Sequence, residues 1–131
     1  MRLLADTHVV LRWFSQSRKL TREQSRALEH SVQRAEQVGI SCVSLIEMAV
    51  LYEEGKLTIS KPIEEFLRDL EANPVFRIMP VTAEIAADVY ALPGLRDPMD
   101  RTIAATARCH RLKLVTSDQR IIDSGLVPTI F

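Results

Sequence analysis

Neither sign of charge dominates this chain. Seventeen lysines and arginines balance 17 aspartates and glutamates, so the formal net charge is zero. Bulk basic attraction to nucleic acid is therefore absent, although a basic rim beside an acidic site would cancel in such a sum. Cysteine is scarce as well. Cys42 and Cys109 are the only two, without the spacing of zinc ligands and too few for a disulfide framework. Both are expected to be reduced, Cys42 in the core and Cys109 near a helix end. No apolar stretch approaches the roughly 20 residues that span a bilayer. Met1-Arg2-Leu3-Leu4-Ala5-Asp6 opens the chain without the apolar region and cleavage site of a signal peptide. A soluble, cytoplasmic protein with no membrane partner is the expectation. Gly-x-Gly-x-x-Gly, a P-loop and a Ser–His–Asp arrangement are all missing. His8, His30 and His110 lack metal-pair spacing, and surface or helix-cap positions are expected for them.

What the chain does contain is enough apolar material for a core. Its 131 residues are 47% hydrophobic, which suits one globular domain over residues 1–131. The pattern alternates short apolar runs with helical periodicity. Residues 2–6 read as a buried first strand, followed by a short helix through Val9, Val10, Trp13 and Phe14, the two aromatics in the core or at an interface. Thr21 with Gln24 fits a capping box that starts a helix running to about Val38, with Gly39 as its stop. Ile40–Val43 reads as the second strand, and Ser44 opens a helix through Leu51 that stops near Gly55. Pro62 leads a helix whose Ile63, Phe66, Leu67 and Leu70 form one apolar face. A third strand over 76–81, a helix from Thr82, a loop at Leu92–Leu95 and a small-residue helix after Asp97-Pro98 follow. A fourth strand over 112–115, a short helix over 118–123 and a last strand over 127–131 end the chain. Strands alternating with helices imply an α/β fold, with a parallel sheet covered on both faces. Right-handed crossovers then bring every strand-to-helix junction to one edge.

Acids stand at those junctions. Asp6 ends the first strand. Glu47 lies among Leu45, Ile46, Met48, Ala49 and Val50. Asp97 and Asp100 flank Pro98 at a helix start, and Asp118 follows Val115-Thr116-Ser117. Each has an ordinary reading as a helix cap: Asp6, Asp97 and Asp118 as N-caps, and Ser44-x-x-Glu47 as a capping box. Asp100 is the favoured ligand of its pair, with Asp97 as cap or support. A Glu in so apolar a stretch needs a partner, because burying its charge costs several kcal/mol. Gathered at one edge, carboxylates ~4 Å apart repel by about 4 kcal/mol per pair at an effective dielectric of 20. Helix dipoles return only about 0.3–1 kcal/mol each. Such a cluster calls for a hard cation, Mg2+ or Mn2+, and without one should hold shared protons or be weakly ordered. Arg12, Arg96, Arg101 and Arg120 lie near the acids and are candidates for holding phosphates. Thr116 and Ser117 can hydrogen-bond a carboxylate or a bound water.

The order Asp6, Glu47, Asp100, Asp118 resembles the acidic quartet of PIN-domain ribonucleases. Asp6-Thr7-His8-Val9, Asp97-Pro98-Met99-Asp100-Arg101 and Val115-Thr116-Ser117-Asp118 resemble the VapC-like toxins of type II toxin–antitoxin systems. The resemblance spans the whole chain. It implies an α/β/α sandwich with a five-stranded parallel sheet of order 3-2-1-4-5. It also implies Mg2+ or Mn2+ at the quartet, RNA cleavage, and a homodimer held inactive by a small antitoxin. Asp97, Thr7, Thr116 and Ser117 would be auxiliary, Asp118 would be the least secure direct ligand, and tRNA, rRNA and mRNA would all be open as targets.

Two other functions compete. A receiver-like phosphoacceptor also gathers acids and Mg2+ at a sheet edge. It needs an aspartate on a middle strand and a lysine near the last, but Ile78-Met79-Pro80 carries no acid and residues 126–131 no lysine. A binding module without catalysis would leave the acids as caps and use apolar helix faces, including Trp13 and Phe14, to dock a partner.

Overall fold

The computed structural model describes residues 1–92 and 94–131; Pro93 of the expected Leu92–Leu95 loop lies outside the described residues. In chain order the elements are β1 (Leu3–Ala5), α1 (Thr7–Phe14), α2 (Arg22–Gln33), β2 (Val38–Ser41), α3 (Cys42–Glu53), α4 (Ile63–Ala72), β3 (Phe76–Met79), α5 (Ala83–Tyr90), α6 (Pro98–Cys109), β4 (Lys113–Val115), α7 (Gln119–Ser124) and β5 (Thr129–Ile130). The five strands form one sheet in the order β3-β2-β1-β4-β5, and every neighbouring pair is parallel. This is the α/β/α sandwich with the 3-2-1-4-5 order expected above. No helix among the described residues is long and apolar enough to cross a membrane.

Two cores lie on opposite faces of the sheet, as period-2 alternation requires. Leu3, Ala5, Val38, Ile40 and Val115 face a core completed by Val9, Val10, Leu28, Met48 and Leu70 from α1–α4. Leu4 and Leu114 face the other way, against Ile85, Ile103, Ala104, Ala107 and Ile121 from α5–α7. The small residues of α6 are fully buried, which lets its backbone approach the central strands. Because parallel strands must be rejoined by helices, α6 runs back from the carboxyl edge of the sheet. Its N-terminus therefore sits beside the ends of β1 and β4.

Several boundaries differ from the expectations. Helix α2 starts at its Thr21–Gln24 capping box but ends at Gln33, well before Val38. Its end is a Schellman turn: Glu36 N–H donates to Ser31 O at 2.9 Å, Ala35 N–H donates to Val32 O at 3.0 Å, and Ala35 takes φ 55°. A non-glycine residue fills the left-handed position, so the usual signal was absent. Gly39 is not a helix stop. It lies in β2 opposite Leu4, where a Cβ would meet Leu4 Cδ1 at 3.0 Å and Met1 Sδ at 3.3 Å. Close packing on the sheet accounts for this glycine. Strand β2 is therefore earlier than expected, and Cys42 and Val43 belong to α3. Cys42 is half-buried on that helix, not a strand core residue. The α3 cap is Ser41, whose Oγ accepts from Val43 N–H, and not the expected Ser44. Pro62 stands at the cap of α4, one residue before its first turn.

Candidate active site

Asp6 leaves β1 as the N-cap of α1, and its burial is nearly complete. Oδ1 accepts from Val9 N–H at 2.9 Å, and Oδ2 accepts from the Thr116 hydroxyl just beyond β4. Burial pushes this carboxyl above its ordinary range. The two hydrogen bonds and nearby His8 oppose that rise, and the Glu47 charge adds to it. Glu47 projects from the second turn of α3 and is half-buried. The Thr7 hydroxyl approaches Glu47 Oε1 at 2.5 Å and Ser44 Oγ at 2.9 Å. A hydroxyl has one proton. With Thr7 donating to the carboxylate, Ser44 supplies the proton of the other bond. Ser44 is thus a buried support inside the helix.

Asp97 caps α6, accepting from Met99 N–H at 2.8 Å, and Pro98 occupies the first helical position. Asp118 caps α7, accepting from Arg120 N–H at 3.0 Å. Asp100 has no capping role. Its carboxyl is pushed up to about 6, first by burial, then by repulsion from Asp97 and Asp118, with Arg120 opposing. Arg120 reaches back over both acids, its guanidinium 3.1 Å from Asp118 and 3.5 Å from Asp100. Burial pushes Asp118 up, but the guanidinium and backbone N–H groups outweigh it and hold this carboxyl below the usual range.

These side chains line one pocket of about 240 Å³: Asp6, Glu47, Asp97, Asp100 and Asp118, with Thr7, His8, Arg12, Ser117 and Arg120 beside them. The topology has collected acids from residues 6 to 118. Thr116 stands behind Asp6 and does not line the pocket. Arg96 and Arg101 do not line it either; Arg101 Nη2 donates to the Arg96 carbonyl at 3.4 Å, and its Nε is buried with no hydrogen-bond partner among the described residues.

The donor set is all oxygen, suited to a hard cation, and two of its carboxyls are held above their ordinary range. The residues fit a divalent ion by that chemistry. As placed, however, no three acid, histidine or cysteine side chains among the described residues stand close enough to hold one. Without a cation, mutual repulsion opposes a closer approach. Each acid has taken an internal partner instead: Thr116 for Asp6, Thr7 for Glu47, and Arg120 for Asp100 and Asp118.

Two residues at the site were not anticipated. His8 was expected at the surface or at a helix cap; it is exposed, yet it also borders the pocket, two residues after Asp6 in the first turn of α1. Gln24 is fully buried. Its Oε1 accepts from Thr21 N–H at 3.1 Å, and its Nε2 donates to Ser117 Oγ at 2.8 Å. It ties the start of α2 to the loop between Thr116 and Asp118. As a capping-box residue it gave no sign of this second bond, made to a residue far along the chain.

Comparison with known proteins places this geometry. The PIN domain family model matches residues 3–124. The chain is 33% identical over 121 residues to Ribonuclease VapC22 of Mycobacterium tuberculosis, covering 91% of this chain and 88% of that protein. A toxin–antitoxin complex from Klebsiella pneumoniae matches with TM-score 0.67 and 26% identity, over 98% of this chain and 96% of the other. VapBC2 of Rickettsia felis, bound to a DNA fragment from the promoter, shares the fold with TM-score 0.70 at 16% identity, over 98% and 97% of the chains.

Proposed function

The chain belongs to the PIN domain family and resembles its VapC-like toxins, and on that premise we propose that it is a metal-dependent endoribonuclease, the toxin of a toxin–antitoxin pair. The observation that carries the reading is Asp100. Asp6, Asp97 and Asp118 cap helices and so have structural uses. Asp100 caps nothing, is raised to about 6 by burial and neighbouring carboxylates, and opens into the pocket shared by the other acids. A charge held at a cost, in a cleft, marks a functional position.

Asp6, Asp100 and Glu47 would hold Mg2+ or Mn2+, with Asp118 as an outer or direct ligand. The bound ion supplies an activated water and neutralises charge on the phosphate oxygens. The chain's own residues set the geometry. Thr116 fixes the Asp6 carboxylate, and Thr7 with Ser44 fixes Glu47. Arg12 and Arg120, at the pocket wall, hold the phosphodiester. Neither Thr7 nor Ser44 is free to act as a nucleophile, since both hydroxyls are committed around Glu47. The substrate would be single-stranded RNA, tRNA among the candidates. A small antitoxin partner, a homodimer and a cytoplasmic location follow from the same family likeness.

The test is hydrolysis of a labelled single-stranded RNA by the purified protein, with Mn2+ and then with EDTA. Cleavage should require the cation and fall by at least about 100-fold in Asp6→Asn. Equal cleavage in EDTA, or full activity of the variant, would end the reading.

A further inference from the structure

Next to the acid pocket lies a larger groove of about 860 Å³, and the two share His8 and Arg12. Its walls come from α1 and the segment after it that carries Lys19, from the connection between α3 and α4, and from α4 itself. The charge is one-sided: Arg12, Lys19, Lys56 and Lys61 line it against the single carboxylate of Asp69. Lys61 pairs with Asp69 at 2.5 Å and Lys56 with Glu54 at 2.9 Å. Both pairs are exposed to solvent, where such contacts are weak and yield readily to a phosphate. The apolar part of the groove comes from Leu11, Leu57, Ile59 and Leu70 together with Phe14 and Phe66. Phe14 remains 46% exposed while Phe66 and Phe76 brace it, with ring centroids at 6.2 and 5.5 Å. A braced ring that is still open to solvent can take a base against its face.

We propose that this groove is the track for the RNA strand flanking the cleavage point. A strand whose scissile phosphate lies at the acids runs past Arg12 into the groove. Its phosphates meet Lys19, Lys56 and Lys61, and one base stacks on Phe14. Four cations beside an exposed aromatic ring match a polyanion with exposed bases. A protein segment would have to bring acids to match them. The proposal rests on the nuclease reading above and adds where the strand goes.

The test is fluorescence anisotropy with 2′-O-methyl RNA, which resists hydrolysis, as a trinucleotide and as a strand of about 12 nucleotides, a length within single-strand site sizes. Wild type should bind the longer strand more tightly. Lys56→Ala/Lys61→Ala should weaken that binding by about 10-fold near 50 mM salt and make the salt dependence shallower by about 1.4 in log–log slope. Phe14→Leu should weaken it by at least about 5-fold, and none of these changes should affect the trinucleotide. Both lysines are exposed, so the double variant folds as wild type does, and a melting curve checks this. The proposal is overturned if the longer strand binds no tighter than the trinucleotide. It is equally overturned if the double variant binds like wild type with an unchanged slope, which would give the groove to a protein partner. Failure of the nuclease reading would appear separately, as no cleavage of the unmodified strand, because this binding needs no hydrolysis.

Discussion

Asp100→Asn keeps the shape of the side chain and removes a charge that the fold holds against burial and two neighbouring carboxylates. The carboxyl is raised from 3.8 to about 6, a difference equivalent to at most about 3 kcal/mol. The group is only partly buried and solvent screens it, so about 1–2 kcal/mol is the working figure. A raised carboxyl favours the protonated form in the folded state. The penalty is therefore complete above the folded value near 6. It closes as the pH falls through that value toward the ordinary 3.8. In EDTA at about pH 7.5, Asp100→Asn should be more stable than wild type by that amount, roughly 3–10 °C in melting temperature for a domain of this size. Near pH 4 the two proteins should melt together. Added Mn2+ should stabilise wild type and leave the variant nearly unmoved, reversing their order. Thermal and urea unfolding at both pH values make the measurement. A variant no more stable than wild type at pH 7.5, or an advantage that persists unchanged at low pH, would refute the account of Asp100 as a strained charge.

Other substitutions probe the supports. Arg120→Gln removes the counter-charge on Asp100 and Asp118, so both carboxyls should titrate at higher pH in the metal-free protein; carbon-13 NMR of the aspartates reads this directly, and an unmoved Asp100 would show the guanidinium contact to be idle. Gln24→Leu breaks the buried bond to Ser117 and half of the capping box, and should cost about 1–2 kcal/mol in urea unfolding, with cleavage slowed through kcat more than KM if the Thr116–Asp118 loop loses its anchor. Gly39→Ala places a methyl 3.0 Å from Leu4 Cδ1, and because Leu4 is fully buried and cannot retreat, a loss of about 1–3 kcal/mol is expected; a neutral result would mean that the sheet relaxes there.

Much of the architecture was legible from local chemistry. The Thr21–Gln24 box, the Asp97-Pro98 start of α6 and the period-2 pattern of Leu3, Leu4 and Ala5 each specify backbone within a few residues, and their signals are short-range. Where such signals are silent, the expectations drifted. Ala35 ends α2 without a glycine, and Gly39 serves a packing contact that only the register of β2 against β1 reveals.

The acids divide along the same line. Residue order and alternating elements determined that Asp6, Glu47, Asp100 and Asp118 would reach one edge of a parallel sheet, because right-handed crossovers leave few other arrangements. The caps Asp6, Asp97 and Asp118 are local features that the sequence already marked, but which acid carries unrelieved charge, and that Arg120 lies over Asp100 and Asp118 while Arg96 and Arg101 do not line the pocket, were decided only by the tertiary structure. Burial and the distances between residues far apart in the chain set those energies, and neither quantity exists until the helices have packed against the sheet.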